Sequence, residues 1–381
     1  MKTIGILGLG AIGRLIADDL FKTFDGEIIL LGRDLKRLKQ LAKRKKNVKI
    51  RYANVSDTKL LASAFRGIDV VIHAVHHEFN LNVMKACLKS KSHYVDLGGL
   101  FHYTKKQLKL NYQFKKANLT AVLGIGAAPG ITNVLAKYGS SFLDKVENVE
   151  IKIGGKDQST YKQTSPLSNT YSLQTIFEEF SWKPAIFTEG KLKFLEPISG
   201  REDYIFPGPV GVQKPQYTIH SEIATLPSSL HAKNVSFKIA FDDDFVNKIK
   251  MLKELGFLSE EKIKLKEKEF VIKFVSLGIL KKLPNAIPDR INQYEIISVI
   301  VTGTKSGARK KIVLEAYVHG INETDDKDTA APASIAAQMV ANGMINKRGV
   351  FPPELIVPSK SFFNELAKRK IYIYLNKRHR Q

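Results

Sequence analysis

The stretch IGILGLGAIGRLIADDL, Ile4 to Leu20, limits the fold more than any other part of the chain. An apolar run ends at Gly8, and Gly8, Gly10 and Gly13 space out a G-x-G-x-x-G turn that opens an apolar helix. In a strand-turn-helix unit the first glycine allows the tight turn, the second lets a pyrophosphate approach the backbone, and the third lets the helix pack close to the sheet. Free N–H groups of the first helical turn, at Ala11 and Ile12, and the positive end of the helix dipole then hold the phosphates. Apolar runs at 3–7, 27–31, 48–52, 69–75, 93–97 and 120–124 alternate with helix-period segments, which predicts a parallel sheet covered on both faces. The fold class is α/β, opening with a doubly wound, dinucleotide-binding domain.

The second strand, EIILLGRD, decides which dinucleotide. NAD calls for an acid at its end to meet the ribose 2′-hydroxyl. Gly32 stands there instead, followed by Arg33, whose guanidinium can pair with a 2′-phosphate, with Lys36 and Arg37 close behind. NADP is the expected cofactor; NAD remains open through Asp34. The other strand ends face the same ligand, because open parallel sheets bind at their carboxyl edge. This places Asn54 at the adenine and Ala74, Val75 and His76 along the nicotinamide side. His76 and His77 offer acid-base groups, but adjacent residues point in different directions, so at most one is expected to face the pocket. Asp96, in HYVDLGG, is either a proton-handling group or a turn cap.

A second glycine turn, GIGAAPGITNVLA, follows the sixth strand. Pro129 suits a helix start, and Gly130 lets a ligand approach the backbone. Free N–H groups from Gly126 to Gly130, with Asn133 as a side-chain donor, would hold a substrate carboxylate. The alternative is a plain domain-crossing turn.

Beyond Gly155 the pattern changes to short strands at 184–219, about 234–240, 292–303 and 309–318, the last two joined as a hairpin through TKSGAR. Helices are expected at 172–180, 244–255, 261–279 and from Thr329 to Gly343. The stretch YTIHSEIA puts His220, Ser221 and Glu222 at a strand-to-helix junction. Ser221 there is a cap candidate, and His220 or Glu222 could recognise an amino group. No nucleophile elbow, P-loop or H-E-x-x-H occurs, and the nine histidines show no zinc-ligand spacing, so no metal is expected.

The chain carries 60 Lys and Arg against 37 Asp and Glu, a net charge of +23. The densest blocks, Lys36 to Arg51 and the tail KRHR, are read as solvated surface, because no nucleic-acid-binding motif accompanies them. The single cysteine, Cys87, excludes a disulfide within one chain and reads as a small buried hydrophobe. With no leader peptide and no run of eighteen uncharged apolar residues, a cytoplasmic protein without a membrane span is expected.

Together with HYVDLGG, GRDLKRL, YTIHSEIATLP, LKELGFL and NGMINKRGVFPPELIVP, the second glycine turn resembles the saccharopine dehydrogenase-like family, and within it the lysine 6-dehydrogenase branch. The resemblance implies a Rossmann domain at 1–125 and an α+β substrate and dimerisation domain at 126–328 with a mixed, largely antiparallel sheet. It also implies that the helix 329–343 packs back on the first domain, and it leaves 344–381 unplaced. The expected activity is NAD(P)-dependent oxidation of an amino-acid C–N bond, as in oxidative deamination of lysine or a related amine, by a homodimer. Asp96, His77 and Glu222 are the candidates for proton handling. The alternative within the family is a saccharopine-type reductive condensation of an amine with an oxoacid. Outside it stands a non-catalytic dinucleotide sensor that binds nucleic acid.

Overall fold

The computed structural model describes residues 1–43, 45–167, 172–321 and 326–375; the basic tail at 377–380 lies outside them. Six parallel strands occupy the predicted runs: β1 (Thr3–Leu7), β2 (Glu27–Gly32), β3 (Val48–Tyr52), β4 (Val70–His73), β5 (His93–Asp96) and β6 (Thr120–Val122). A seventh, Gly349–Phe351, joins from the far end of the chain, giving the order Gly349–Phe351, β6, β5, β4, β1, β2, β3. Both faces of the central strands are covered, and Thr3–Leu7 and Val70–His73 are buried at every position, whereas the edge strand Val48–Tyr52 carries Lys49 and Arg51 and has no fully buried residue.

The second sheet has eight strands. Its spine is the hairpin Asn292–Lys305 and Ala308–Ile321, turned at Ser306 and Gly307, both with positive φ as a two-residue turn of this hand requires. Lys145–Asp157 pairs with the hairpin antiparallel and with Asn234–Ile239 parallel. Ile371–Leu375 closes the other edge. The sheet is mixed and mostly antiparallel, as expected.

The predicted helix 261–279 is a hairpin, Lys262–Leu265 with Lys268–Val271, followed by the helix Ile272–Leu280. Ile263 and Leu265 alternate with lysines at period two, the strand signature, and Lys266 adopts positive φ at the turn. Ser221 precedes the helix Glu222–Leu230 without capping it; its hydroxyl is buried and has no partner.

The helix Lys327–Ala341 lies against α1 (Ala11–Thr23), where Ser334 Oγ donates to Asp19 Oδ2 and Gln338 Nε2 donates to Thr23 Oγ1. Among the described residues no helix is long and apolar enough to cross a membrane.

The two sheets are joined through the crossing helix Ile131–Ser140, buried on nearly every side. Gly130 begins it at φ 134°, and a β-carbon there would overlap the backbone of Gly126. Gly130→Ala is therefore expected to cost about 2 kcal/mol or more, from the strained φ and the displaced backbone. A thermal melt indistinguishable from the parent would show that the contact is slack.

Candidate active site

The first glycine turn has the shape a dinucleotide needs. Gly8 takes φ 95°, and a β-carbon there would strike Val75 Cγ2 and the carbonyl of Ala74, so the end of β4 rests on the turn. At Gly13 a β-carbon would overlap Gly8 O, which explains the close helix. At Gly10 it would meet nothing within 4 Å. Gly10 and Ala11 are exposed, so the N–H groups of Ala11 and Ile12 open on free space.

At the end of β2, Arg33 is exposed, whereas Asp34 Oδ1 caps α2 (Leu35–Ala42) by accepting from Arg37 N at 3.0 Å. Arg37 Nε is buried without a partner. The capping role takes up Asp34 and leaves two guanidinium groups for a 2′-phosphate. Ala53 N donates to Gly32 O, which sets Asn54 beside this position; Asn54 Oδ1 accepts from Ser56 N.

Past β4 the chain turns into the short helix His77–Phe79. Strand alternation ends there, and both histidines face Glu178 of the second half, contrary to the expectation that only one would face inward. His77 Nε2 lies 2.8 Å from Glu178 Oε2, and His76 Nε2 lies 3.6 Å from the same oxygen. The two ring centroids lie 3.9 Å apart with the planes tilted by 35°, and Tyr103 sits 4.9 Å beyond His77. Glu178 comes from the helix Leu173–Ser181, which Ser172 caps. Its other oxygen is 3.6 Å from Lys273 Nζ, which Glu260 holds at 2.7 Å. Burial opposes the charge on Glu178, but the two histidines outweigh it and bring the pKa down to about 2. Burial pushes His77 below its ordinary value, against the pull of Glu178. The junction thus holds an ionised carboxylate beside a neutral imidazole.

The other proton-handling candidates are saturated. Asp96 is buried, and its carboxylate accepts from Gly98 N, Gly124 N, Tyr94 Oη and Gln107 Nε2 at 2.5–3.0 Å. These bonds make it a clamp that ties β5 to the following helix and to the second glycine turn. Burial still pushes its pKa up against those donors. Glu222 is fully enclosed; it accepts from Thr132 Oγ1 and pairs with His220 Nδ1, each at 2.8 Å. The His220 ring stacks on Phe237 at 3.7 Å, with Nε2 3.7 Å from Glu179. Burial would lower its pKa, but the two carboxylates raise it. His220 and Glu222 thus form an enclosed ion pair in place of an open amine site.

The second glycine turn is closed as well. Gly126 N donates to Pro129 O, Gly130 N to Asn133 Oδ1, Ile131 N to Gly126 O and Thr132 N to Ala127 O. Asn133 Nδ2 donates to Glu354 Oε2. Of the N–H groups expected to hold a substrate carboxylate, those of Gly126 and Gly130 are spent within the chain, and the adjoining cavity of about 10 Å³ is at the lower limit for one water. The turn carries the chain from the first sheet into the crossing helix, with Gly126, Gly130 and Asn133 each bonded within the chain.

Glu178 and Glu179 escaped the sequence reading, although FEEF carried a signal: two acids between phenylalanines in an apolar helix, all four buried.

The family model described as saccharopine dehydrogenase NADP binding domain matches residues 4–122, and that for the saccharopine dehydrogenase C-terminal domain matches 126–371. Carboxynorspermidine synthase of Vibrio cholerae is 24% identical over 392 residues, covering 92% of each chain. Carboxyaminopropylagmatine dehydrogenase of Synechocystis is 23% identical over 383 residues, covering 94% of each. The apo saccharopine dehydrogenase (L-Glu forming) of Saccharomyces cerevisiae shares the fold, with a TM-score of 0.74 over 99% of both chains at 17% identity.

Two outcomes test the site. Arg33→Ala should raise KM for NADPH by about tenfold or more and leave KM for NADH nearly unchanged, since one charge-assisted contact is lost; equal changes would remove Arg33 from the cofactor. The depressed pKa of Glu178 adds stability above its ordinary value of 4.5 that is lost as pH falls through about 2. The stability gap between the parent and Glu178→Gln should close across that window, and a gap constant with pH would mean that the carboxylate is not paired.

Proposed function

As the chain belongs to the saccharopine dehydrogenase family and is an NADP-dependent oxidoreductase acting on CH–NH groups, we propose that it forms or cleaves the secondary amine of a carboxyl-bearing polyamine. Both relatives matched along nearly the whole chain are named for such compounds. This moves the reading from oxidative deamination of lysine to the condensation reading, with an aldehyde as the carbonyl partner.

The observation that carries it is a contrast of charge. The chain has a large basic excess, yet among the described residues its buried Asp, Glu, Lys and Arg are seven acids and three lysines. Of these, Glu178 faces His76 and His77 just past the end of β4, and its neighbour Glu179 lies 3.7 Å from His220. A cationic amine entering from a positive surface thus meets enclosed carboxylates, whose attraction is stronger away from water.

Bound NADPH supplies hydride exchange with the C–N carbon. The attacking amine must first lose its proton, because an ammonium has no lone pair. The neutral His77 imidazole can accept that proton, and ionised Glu178 then stabilises the imidazolium. Arg33 and Arg37 would hold the 2′-phosphate, and Gly10, Ala11, Ile12 and Gly13 would hold the pyrophosphate. Ala74, Val75 and His76 line the nicotinamide, with Asn54 at the adenine. We assign the dinucleotide unit to 1–125, completed by the helix Lys327–Ala341 and strand Gly349–Phe351, and the substrate unit to 126–328. The expectation of a cytoplasmic homodimer goes with this reading and rests on the family resemblance.

The test is NADPH consumption by the full chain. An aldehyde that delivers a carboxyaminopropyl group, offered with a diamine, should drive oxidation only when both are present. His77→Gln should lower kcat by about 100-fold or more with little change in NADPH affinity. Faster NADP reduction by lysine alone would restore the deaminating assignment.

A further inference from the structure

His76, His77 and Glu178 each offer a ligand atom, these atoms lie within 4.8 Å of one another, and the three residues come from two different domains. His76 Nε2 and His77 Nε2 are 3.6 and 2.8 Å from Glu178 Oε2, yet none of these three enclosed atoms completes a hydrogen bond. They are close neighbours whose bonding directions miss one another, as donors grouped around a shared centre are. Ligand atoms held at about 2.0–2.1 Å from a tetrahedral ion stand about 3.3 Å apart, and the two measured separations bracket that value.

From this geometry we propose that His76, His77 and Glu178 form a binding site for a divalent transition metal, best matched to zinc, and that the bound ion bars the amine from the junction.

The donor set of two imidazoles and one carboxylate suits zinc and leaves a fourth position open. His76 Nδ1 accepts from Glu78 N at 3.4 Å and lies 3.4 Å from Gln174 Nε2, so binding a metal through Nε2 moves the imidazole proton to Nδ1, 3.6 Å from Glu78 Oε1. Lys273, 3.6 Å from Glu178 Oε1, orients the carboxylate by its far oxygen and leaves Oε2 toward the histidines. The lysine charge also opposes a cation, which sets the affinity below that of a closed structural zinc site. A metal here would couple the end of β4 to the helix Leu173–Ser181, so binding raises the melting temperature. Inhibition rests on the proposed function, since it needs the amine to enter at this point; binding does not.

The experiment uses the untagged full chain, stripped with a chelator and dialysed. Titration with Co²⁺, followed by its visible absorption, and with Zn²⁺, followed by calorimetry, should each give one ion per chain. His77→Gln and Glu178→Gln should each weaken Zn²⁺ binding by about 100-fold or more, while exposed His231, changed to Asn, should leave it unchanged. NADPH binding to each variant checks that it has folded. Zn²⁺ should inhibit turnover competitively with the amine, reversibly on chelation. Absence of stoichiometric binding, or equal weakening in all three variants, overturns the site. Binding without inhibition overturns the exclusion of the amine. If no amine is turned over at all, the functional reading fails, and the Co²⁺ and Zn²⁺ titrations still decide the site.

Discussion

The architecture depends on one backbone contact, between Gly126 and Gly130. The chain leaves the first sheet after β6, doubles on itself, and enters the helix Ile131–Ser140 with Gly126 N bonded to Pro129 O and Ile131 N bonded to Gly126 O. No side chain fits between these strands of backbone. Asp96 anchors the near side by holding Gly124 N and Gly98 N, so the turn is rigidly tied to β5. The crossing helix then packs on the central hairpin of the second sheet, and its direction sets where the helix carrying Glu178 arrives relative to the end of β4.

What could be read in the sequence follows from how local each signal is. The parallel sheet was legible because its central strands are buried on both faces and β1 to β6 alternate with helices, a pattern that needs no distant information. The first glycine turn was legible because each glycine answers a contact within the same strand-helix unit or the adjoining strand end. The second turn has the same letters, but whether its N–H groups are free depends on the carbonyls of Gly126 and Ala127 and on the Asn133 side chain, and composition does not show that. Asp96 looked like a reactive acid for the same reason: its four donors come from β5, the following helix and the crossing turn. Glu178 was missed because it meets His77 only when the two domains close on each other, and no spacing in the sequence records that meeting. In the lysine-rich segment before Ile272 the only local mark of the hairpin is the two-residue alternation of Ile263 and Leu265, too short to stand out from a helical stretch.

The arrangement of charge separates two roles. Lysines and arginines are spread over exposed faces, as in the block on α2, where Leu38 is buried and Lys36 and Lys39 are exposed. The buried charges are mostly acids, and three of them have clear partners: Asp96 with backbone amides, Glu222 with His220, Glu178 with His77. Buried carboxylates are costly unless paired, so these pairings also dictate which residues line the junction.

The strand Gly349–Phe351 beside β6 has a consequence for how the protein assembles. A sheet begun by the first residues stays short of its outer strand until the chain has passed residue 351, and Ile371–Leu375 completes the other sheet later still. During synthesis the exposed edge of β6 therefore waits, unpaired, while the entire second domain is made. Contacts so distant in sequence slow folding through loop-closure entropy. A nascent chain that has emerged only as far as the central hairpin carries an open sheet edge, the kind of surface on which chaperones and unwanted strand pairing compete.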